Sequence, residues 1–333
     1  MNKFTIITFG GVTQDIMFYT TEGVLIKNPK DPLKQELIGF EYGAKIRSDK
    51  VHFAFGGGGG NTAVSFSLMG LKTALVACFA QDRIYDDYRK QLLKNKINGN
   101  LLQLNNNSGS GFSFILNYGD YNEHVVFSYR GANNYLKVKE KTLKSNLTDW
   151  YYLAGLSGKY LDDNLKLIFK TAKAKNNKIA WNPGISELKK GYRNLKNYLK
   201  QTELFIVNYD EAIELALSAG IKTNNQKKLL ISLYNFGSRF VAISHGHRGA
   251  YLFDGKKIYF EKALPINGIN TTGAGDAFGS SLVAGLILFK NDLRKSLKLA
   301  IIRSNYVIRK IGAQVNLLNK KQSLKLLNKH EHY

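Results

Sequence analysis

Short apolar runs recur along the chain, separated by stretches whose polar and apolar residues follow helical spacing. The runs are Phe4–Gly10, Thr73–Phe79, Trp150–Leu153, Lys178–Trp181, Leu204–Val207 and Phe240–Ser244. Asp163–Lys175 and Asn225–Asn235 read as amphipathic helices between them. Strands alternating with helices predict a largely parallel sheet covered on both faces. Ligands in such sheets bind beyond the carboxyl ends of the strands. Asp15, Asn208 and Gly246 each closely follow a predicted strand. Two regions break the alternation. Phe18–Phe55 holds strand-like pieces at Gly23–Ile26 and Lys50–Phe55, with a polar loop insertion at Asn28–Gly39 that carries Pro29 and Pro32. Gly111–Tyr129 reads as a hairpin of Phe112–Leu116 and His124–Phe127 joined around Gly119-Asp120.

The stretch Gly268-Ile269-Asn270-Thr271-Thr272-Gly273-Ala274-Gly275-Asp276 runs into the apolar segment Ala277–Phe289 and reads as a turn opening into a buried helix. Gly273 and Gly275 free the backbone to expose successive N–H groups. Those donors, with the positive end of the helix dipole, suit a phosphate or a developing anion. Asp276 shares the turn, where a bound phosphate would repel it. Its presence fits a base that takes a proton from a hydroxyl attacking a phosphoryl group. The competing reading is an ordinary glycine-rich turn with Asp276 stabilising the helix N-terminus.

A second cluster, Gly56-Gly57-Gly58-Gly59-Gly60, precedes Asn61-Thr62-Ala63 and a short apolar helix ended by Gly70. Five glycines let the backbone pass close to a ligand, and Asn61, at the helix start, offers both a donor and an acceptor. That chemistry suits a polyhydroxylated molecule. A flexible linker is the alternative, disfavoured because an apolar helix follows at once.

Together the two motifs resemble those of the ribokinase-like (PfkB) family of sugar and nucleoside kinases. Gly56-Gly57 followed by Asn61-Thr62-Ala63 is similar to the first family signature, and Thr271 to Asp276 to the second. Thr8 to Asp15 resembles the first strand and its substrate-binding Asp. Asn182-Pro183-Gly184 resembles the family's Asn/Asp-Pro-Gly turn. Asn208 to Glu211 is similar to the Asn-x-x-Glu motif tied to magnesium and phosphate. Ser244 to Ala250 resembles the nucleotide-side strand and turn, and Arg309 to Ala313 the segment flanking the nucleotide base. The resemblance spans nearly the whole chain in the family's order.

The resemblance implies a single α/β domain over residues 1–333, a three-layer α/β/α fold with a mostly parallel central sheet. It implies a small β-sheet lid from about 16–55 and 111–130, which would exclude water from phosphoryl transfer, and it leaves open a homodimer through that lid. The implied activity is ATP-dependent phosphorylation of a hydroxymethyl group on a sugar or nucleoside. Asp15, Gly56, Gly57 and Asn61 would hold hydroxyls. Gly273, Ala274 and Gly275 would stabilise the transferring charge, and Asp276 would deprotonate the acceptor. Asn208 and Glu211 would organise Mg²⁺, Glu211 through water, while Ser244, Gly246, Gly249 and Gly312 would meet ATP. One position departs. The second signature opens with Asp in the family and with Asn270 here. In relatives that bind potassium this region supplies oxygen ligands. Asn keeps an oxygen and loses the charge, so activation by a monovalent cation is in doubt.

Composition narrows the remaining classes. A formal charge of +23 raises nucleic acid as a partner. The lysines are spread along the chain, often on helix faces such as Asn164–Lys173, which predicts solvated faces and no nucleic-acid partner. The basic segment Asn319–Tyr333 reads as a solvated helix. The single cysteine, Cys78, excludes an internal disulfide, fits a reducing cytoplasm, and lies in an apolar strand. The first residues lead straight into a strand without a signal-peptide pattern, and Ala277–Phe289 is too short to span a bilayer. No membrane partner and a cytoplasmic location are therefore expected. His245 and His247 lack a third ligand at zinc spacing. There is no P-loop sequence, and no Gly-x-Gly-x-x-Gly follows the first strand, which disfavours a dehydrogenase. A noncatalytic sugar- or nucleotide-binding regulator on the same fold is the alternative. Asp276 argues against it, because a binder needs no base.

Overall fold

The computed structural model describes residues 2–28, 36–119, 124–265 and 271–330. The main sheet contains β1 (Asn2–Gly10), β6 (Thr73–Val76), β11 (Asn146–Ala154), β12 (Lys178–Asn182), β13 (Leu204–Asn208), β14 (Phe240–Ser244), β15 (Ala250–Phe253) and β16 (Ile258–Glu261). Its order is β16-β15-β14-β13-β12-β11-β1-β6. All neighbours are parallel except the β14–β15 and β15–β16 pairs at one edge. The chain runs from β1 to β6 on one side and returns to β11 on the other. The end of β1 is thus a topological switch point, where open α/β sheets bind ligands.

A second sheet is formed by β2 (Thr13–Thr20), β5 (Lys50–Gly56), β9 (Phe112–Tyr118) and β10 (His124–Tyr129), in the order β10-β9-β2-β5. Two small pairs complete the strands, β3 (Val24–Lys27) with β4 (Glu36–Gly39) and β7 (Cys78–Phe79) with β8 (Gln103–Leu104). The helices are α1 (Gly58–Leu68), α2 (Arg83–Lys94), α3 (Glu140–Ser145), α4 (Leu161–Lys175), α5 (Ile185–Leu188), α6 (Gly191–Leu199), α7 (Tyr209–Ser218), α8 (Gln226–Tyr234), α9 (Ala274–Leu288), α10 (Leu293–Val307) and α11 (Lys320–His330).

Side-chain alternation explains why the strand sequences are apolar throughout. Ile7, Phe9, Tyr151 and Phe205 point to one face and pack with Leu165 and Ile168 of α4, Leu215 of α7 and Leu229 of α8. Their neighbours Ile6, Tyr152 and Ile206 point to the other face and meet Phe66 of α1, Leu282 and Leu286 of α9 and Leu297 of α10. Each large side chain so buried stabilises the fold by roughly 1.5–3 kcal/mol. Cys78 belongs to the first of these cores, and burial pushes its thiol up to about 11, so it is no nucleophile. Among the described residues no helix is long and apolar enough to cross a membrane.

Several expectations need correction. Asp15 does not close the first main-sheet strand; it is the third residue of β2, in the small sheet, which begins at Thr13. The run Thr73–Phe79 is two strands, because the chain leaves β1 after Val76 to pair with β8. The insertion Asn28–Gly39 is not all loop, since Glu36–Gly39 pairs with β3; Pro29 and Pro32 lie outside the described residues, as does Asp120. The helix of the first motif starts at Gly58, three residues before Asn61. The basic C-terminal helix is not merely solvated: Leu327 and Ser323 of α11 are fully buried, and Leu327 packs with Ile302 and Leu318.

Candidate active site

Two helices that begin at glycines meet beyond the end of β1. The N-cap of α9 is Gly273, whose φ of 82° and contact with Ala313 both demand glycine, since a Cβ there would lie 2.4 Å from the Ala313 methyl. Asp276 therefore occupies the third position of α9, in its first turn among the free N–H groups. Asn61, in the first turns of α1, donates through Nδ2 to Asp276 Oδ2 at 2.8 Å. Asn61 Oδ1 in turn accepts from Gln314 Nε2 at 3.0 Å, and Gln314 Oε1 from Gln91 Nε2 at 3.1 Å. Behind this relay, fully buried Arg303 of α10 donates to Ser65 of α1 and to Ser281 of α9, each at 2.8 Å. Arg303 thus ties the two helices together at their backs.

The front of the helix pair opens on a pocket of about 390 Å³ whose lining includes Gly10, Asp15, Gly57, Asn61, Ser113, Gly155, Gly273 and Asp276. Asp15 is buried, and Thr13 Oγ1 donates to its Oδ1 at 2.9 Å. Burial raises its pKa, opposed by hydrogen bonds from Thr13 and Ser113. Gly56 does not line the pocket. Its role is to make room, because a Cβ there would sit 2.0 Å from Asp15 Oδ2. Asp276 is likewise raised, first by burial and also by the charge of Asp15, while the Asn61 hydrogen bond pulls it down. A raised carboxyl is a stronger base once ionised.

On the other side of α9 lies a groove of about 180 Å³, lined by Asn182, Asn208, Glu211, Ser244, Gly273, Gly275 and Asp276 among others. Asn208 and Glu211 form a reciprocal cap on α7: Asn208 Oδ1 accepts from Glu211 N–H at 2.9 Å, and Glu211 Oε2 from Asn208 N–H at 2.8 Å. Burial raises the Glu211 pKa, and Glu214 and Asp210 add to the rise, against the Asn208 hydrogen bond. Gly273 and Asp276 line both hollows, so the two meet at the start of α9. Ala274, Gly246, Gly249 and Gly312 line neither. Gly249 instead lets its backbone press against Glu261–Ala263, and Gly312 precedes the Ala313 that packs on Gly273.

Sequence reasoning missed several residues. Asn133 clamps the turn between β1 and β2, accepting from Val12 N–H at 3.1 Å and donating to Val12 O at 2.8 Å. Glu187 is fully buried and accepts three N–H groups, from Gly184 at 2.6 Å, Leu156 at 3.0 Å and the Trp181 indole at 3.0 Å. It thereby pins the Asn182-Pro183-Gly184 turn to the pocket wall at Leu156. His124, Val126, Ser128 and Arg130 also line the pocket, at alternate positions along and just beyond β10. That alternation was the available signal.

Two hollows that meet at a helix start, with a buried carboxylate between them, form the candidate site, and the sequence comparison gives its family. The chain belongs to the pfkB family of carbohydrate kinases, whose model matches residues 31–320. It is similar to an ATP-dependent 6-phosphofructokinase of Thermoanaerobacterium thermosaccharolyticum, at 23% identity over 290 residues, covering 85% of this chain and 87% of the relative. Among solved structures it is similar to Arabidopsis thaliana ribokinase complexed with ribose and ATP, with a TM-score of 0.78, 17% identity and coverage of 98% and 99% of the two chains. Burkholderia thailandensis nucleoside kinase in complex with inosine gives a TM-score of 0.78, 16% identity and the same coverage of 98% and 99%.

Proposed function

We propose that the protein is a cytoplasmic ATP-dependent kinase that phosphorylates a hydroxymethyl group of a sugar or nucleoside. The observation that carries this reading is the pair Gly273 and Asp276, which line the larger pocket and the groove together. The acceptor lies in the pocket, with hydroxyls on Asp15 and the Gly57 backbone. Its reacting hydroxyl gives a proton to Asp276 as the oxygen attacks the γ-phosphorus of ATP bound in the groove. The bond to the β-phosphate oxygen breaks, ADP leaves, and N–H groups at Gly273–Gly275 stabilise the charge in transit. Asn61 holds Asp276 in line. The small sheet covers the pocket and excludes water.

Among the described residues no three His, Cys, Asp or Glu side chains gather as a metal site. The groove fits Mg²⁺ nonetheless, because that ion uses one or two carboxylates plus water and substrate phosphates. Glu211 is the carboxylate in place, with one oxygen engaged in its cap. Mg²⁺ there would neutralise phosphate charge. Asn270 lies outside the described residues. Its neutral amide leads us to expect weak or no stimulation by K⁺, tested by exchanging K⁺ for tetramethylammonium at constant ionic strength. The outer face of the small sheet exposes Val51, Phe53, Phe112, Val125, Phe127 and Tyr129. An apolar face of this extent suits a second copy of the chain. Sedimentation of Phe53→Lys/Phe127→Glu should then show monomer where the natural chain shows dimer.

The decisive experiment is ADP release by the purified chain with ATP, Mg²⁺ and panels of sugars, sugar derivatives and nucleosides. Acceptor-dependent release that disappears in Asp276→Asn supports the reading. Specific binding of acceptors without turnover would turn it toward a regulator.

A further inference from the structure

Phosphoryl transfer at Asp276 leaves idle a phenol that lies behind it. Tyr152 of β11 is fully buried, and its ring meets that of Phe66 of α1 edge-on at 5.3 Å. Its hydroxyl has no hydrogen-bond partner among the described residues. Such a burial is unfavourable, and phenylalanine would fill the same space without it. Helix α9 makes room for the hydroxyl. A Cβ at Gly279 would lie 2.3 Å from the Tyr152 oxygen. Glycine inside a helix is itself less favourable than alanine. Two adjoining destabilising residues thus bring a polar atom against the backbone of α9.

Asp276 lies one turn away. It precedes Gly279 by three residues, so the two are neighbours on one face of α9. A second contact fixes the carboxylate from the side of α1. Asp276 Oδ1 is 3.3 Å from the point a Cβ at Gly58 would occupy, and that point is 3.2 Å from the Ala154 methyl. Ala154 and Tyr152 are alternate residues of β11 and belong to the same core. Oδ1 therefore stands over the face of β11 from which the phenol rises. The amide of Asn61 is bound to the other oxygen, Oδ2. The phenol and Oδ1 are not in direct contact. Together they offer the two polar partners that a buried water requires. Burial raises the Tyr152 pKa and the Asp276 charge raises it further, so the phenol keeps its proton and can donate. The other titratable groups around Asp276 are Asp15, His124 and Arg130 across the pocket, Glu211 across the groove, and Arg303 behind Ser65 and Ser280. None of them donates directly to Oδ1 among the described residues.

We infer that Tyr152 is a positioning residue for the base: its hydroxyl donates to one buried water, which donates to Asp276 Oδ1 and keeps the carboxylate ionised and in place. This rests on the kinase reading of the site. The carboxylate is then held at both oxygens, from α1 through Asn61 and from β11 through Tyr152.

Tyr152→Phe keeps the ring and removes the oxygen. Carboxyl NMR titration of the full chain, with the Asp276 signal assigned by its loss in Asp276→Asn, reads the Asp276 pKa without turnover. That pKa should rise in Tyr152→Phe, and the acid limb of the kcat–pH profile should move upward with it. At neutral pH kcat should fall about tenfold with KM for both substrates retained. An idle hydroxyl predicts the reverse: a higher melting temperature with pKa, limb and kcat unchanged. That result overturns the inference. Gly279→Ala gives a second test, because its methyl would displace the Tyr152 oxygen. It should shift the Asp276 pKa in the same direction, and the double variant should shift it no further than Tyr152→Phe alone. Fully additive shifts would show that the two residues do not act through one contact and would also overturn the inference. A pKa shift in Tyr152→Phe without turnover of any acceptor by the natural chain upholds the role of Tyr152 and defeats the kinase reading instead.

Discussion

The larger pocket is held by hydrogen bonds between residues distant in sequence, whereas the groove sets the ends of three successive strands, β12, β13 and β14, against the start of α9. In the groove, Asn208 and Glu211 fix each other across three residues, at the point where β13 becomes α7. In the pocket, Asn61 reaches Asp276 across 215 positions, Gln314 reaches Asn61 across 253, and Asn133 reaches Val12 across 121. The pocket side chains are largely held before a ligand arrives. Asn208 is exposed, and its side chain is held by the local cap at the end of β13. Preorganisation lowers the cost of binding and of reaching the transition state. The acceptor side should therefore be sensitive to single substitutions that the donor side tolerates.

The residue common to both hollows should show the largest effect. Asp276→Asn should lower kcat by about 10²–10⁴, the scale of a positioned general base, while calorimetry finds ATP and acceptor still bound. Near-normal turnover in that variant would remove the base from the mechanism and leave only the cradle.

Next comes the wall between the hollows. Burial raises the Glu187 pKa to about 7 from an ordinary 4.5, outweighing the three N–H donors that favour its ionised form. The folded value lies above the unfolded one. Its contribution to stability is therefore complete below pH 4.5, is lost as the pH rises toward 7, and stays lost above. The size is about 3 kcal/mol. Asp15, Glu211 and Asp276 are shifted in the same direction, so the natural protein should melt lower at pH 8 than at pH 5. Glu187→Gln removes one contributor and should flatten that difference. Identical pH dependence in the two proteins would show that Glu187 ionises normally.

The same contrast explains what the sequence made legible. The parallel sheet was readable because both strand faces are buried, which turns each strand into an unbroken apolar run. The groove residues Asn208 and Glu211 sit in one capping motif, and Gly273 to Asp276 in one helix start, so local pattern revealed them. Asn133, Gln314 and Glu187 act through partners that no local spacing announces. Asp15 was located, but its strand was misread: the polar Thr13-Gln14-Asp15 after Gly10-Gly11 looks like the end of one strand and is the start of β2 in the small sheet. Gly56 was read as a ligand contact; the structure adds that a Cβ there would collide with the Asp15 carboxylate, which the sequence alone did not reveal.

Asp15→Ala separates the two hollows directly. Asp15 is confined to the pocket, so acceptor affinity should fall by about 1.5–3 kcal/mol, roughly 10- to 150-fold, with ATP affinity nearly unchanged. Equal weakening of both ligands would mean that the pocket and groove are not energetically distinct.

The smallest effect, and the sharpest test of preorganisation, belongs to Gln314. It lines neither hollow and acts only through Asn61. Removing its hydrogen bond in Gln314→Ala should cost about 1 kcal/mol in the transition state, a several-fold loss of kcat, with KM for both substrates retained. A second readout distinguishes positioning from general destabilisation. The Asn61 hydrogen bond lowers the Asp276 pKa. Loosening Asn61 lets that pKa rise, and a base that must be ionised then needs a higher pH to work. The acid limb of the kcat–pH profile should move upward in Gln314→Ala and further in Asn61→Ala. A merely structural role would lower kcat or melting temperature without moving that limb. A limb that stays in place in both variants would show that Asp276 is held by its own helix and that the amide relay from Gln91 to Asn61 serves packing alone.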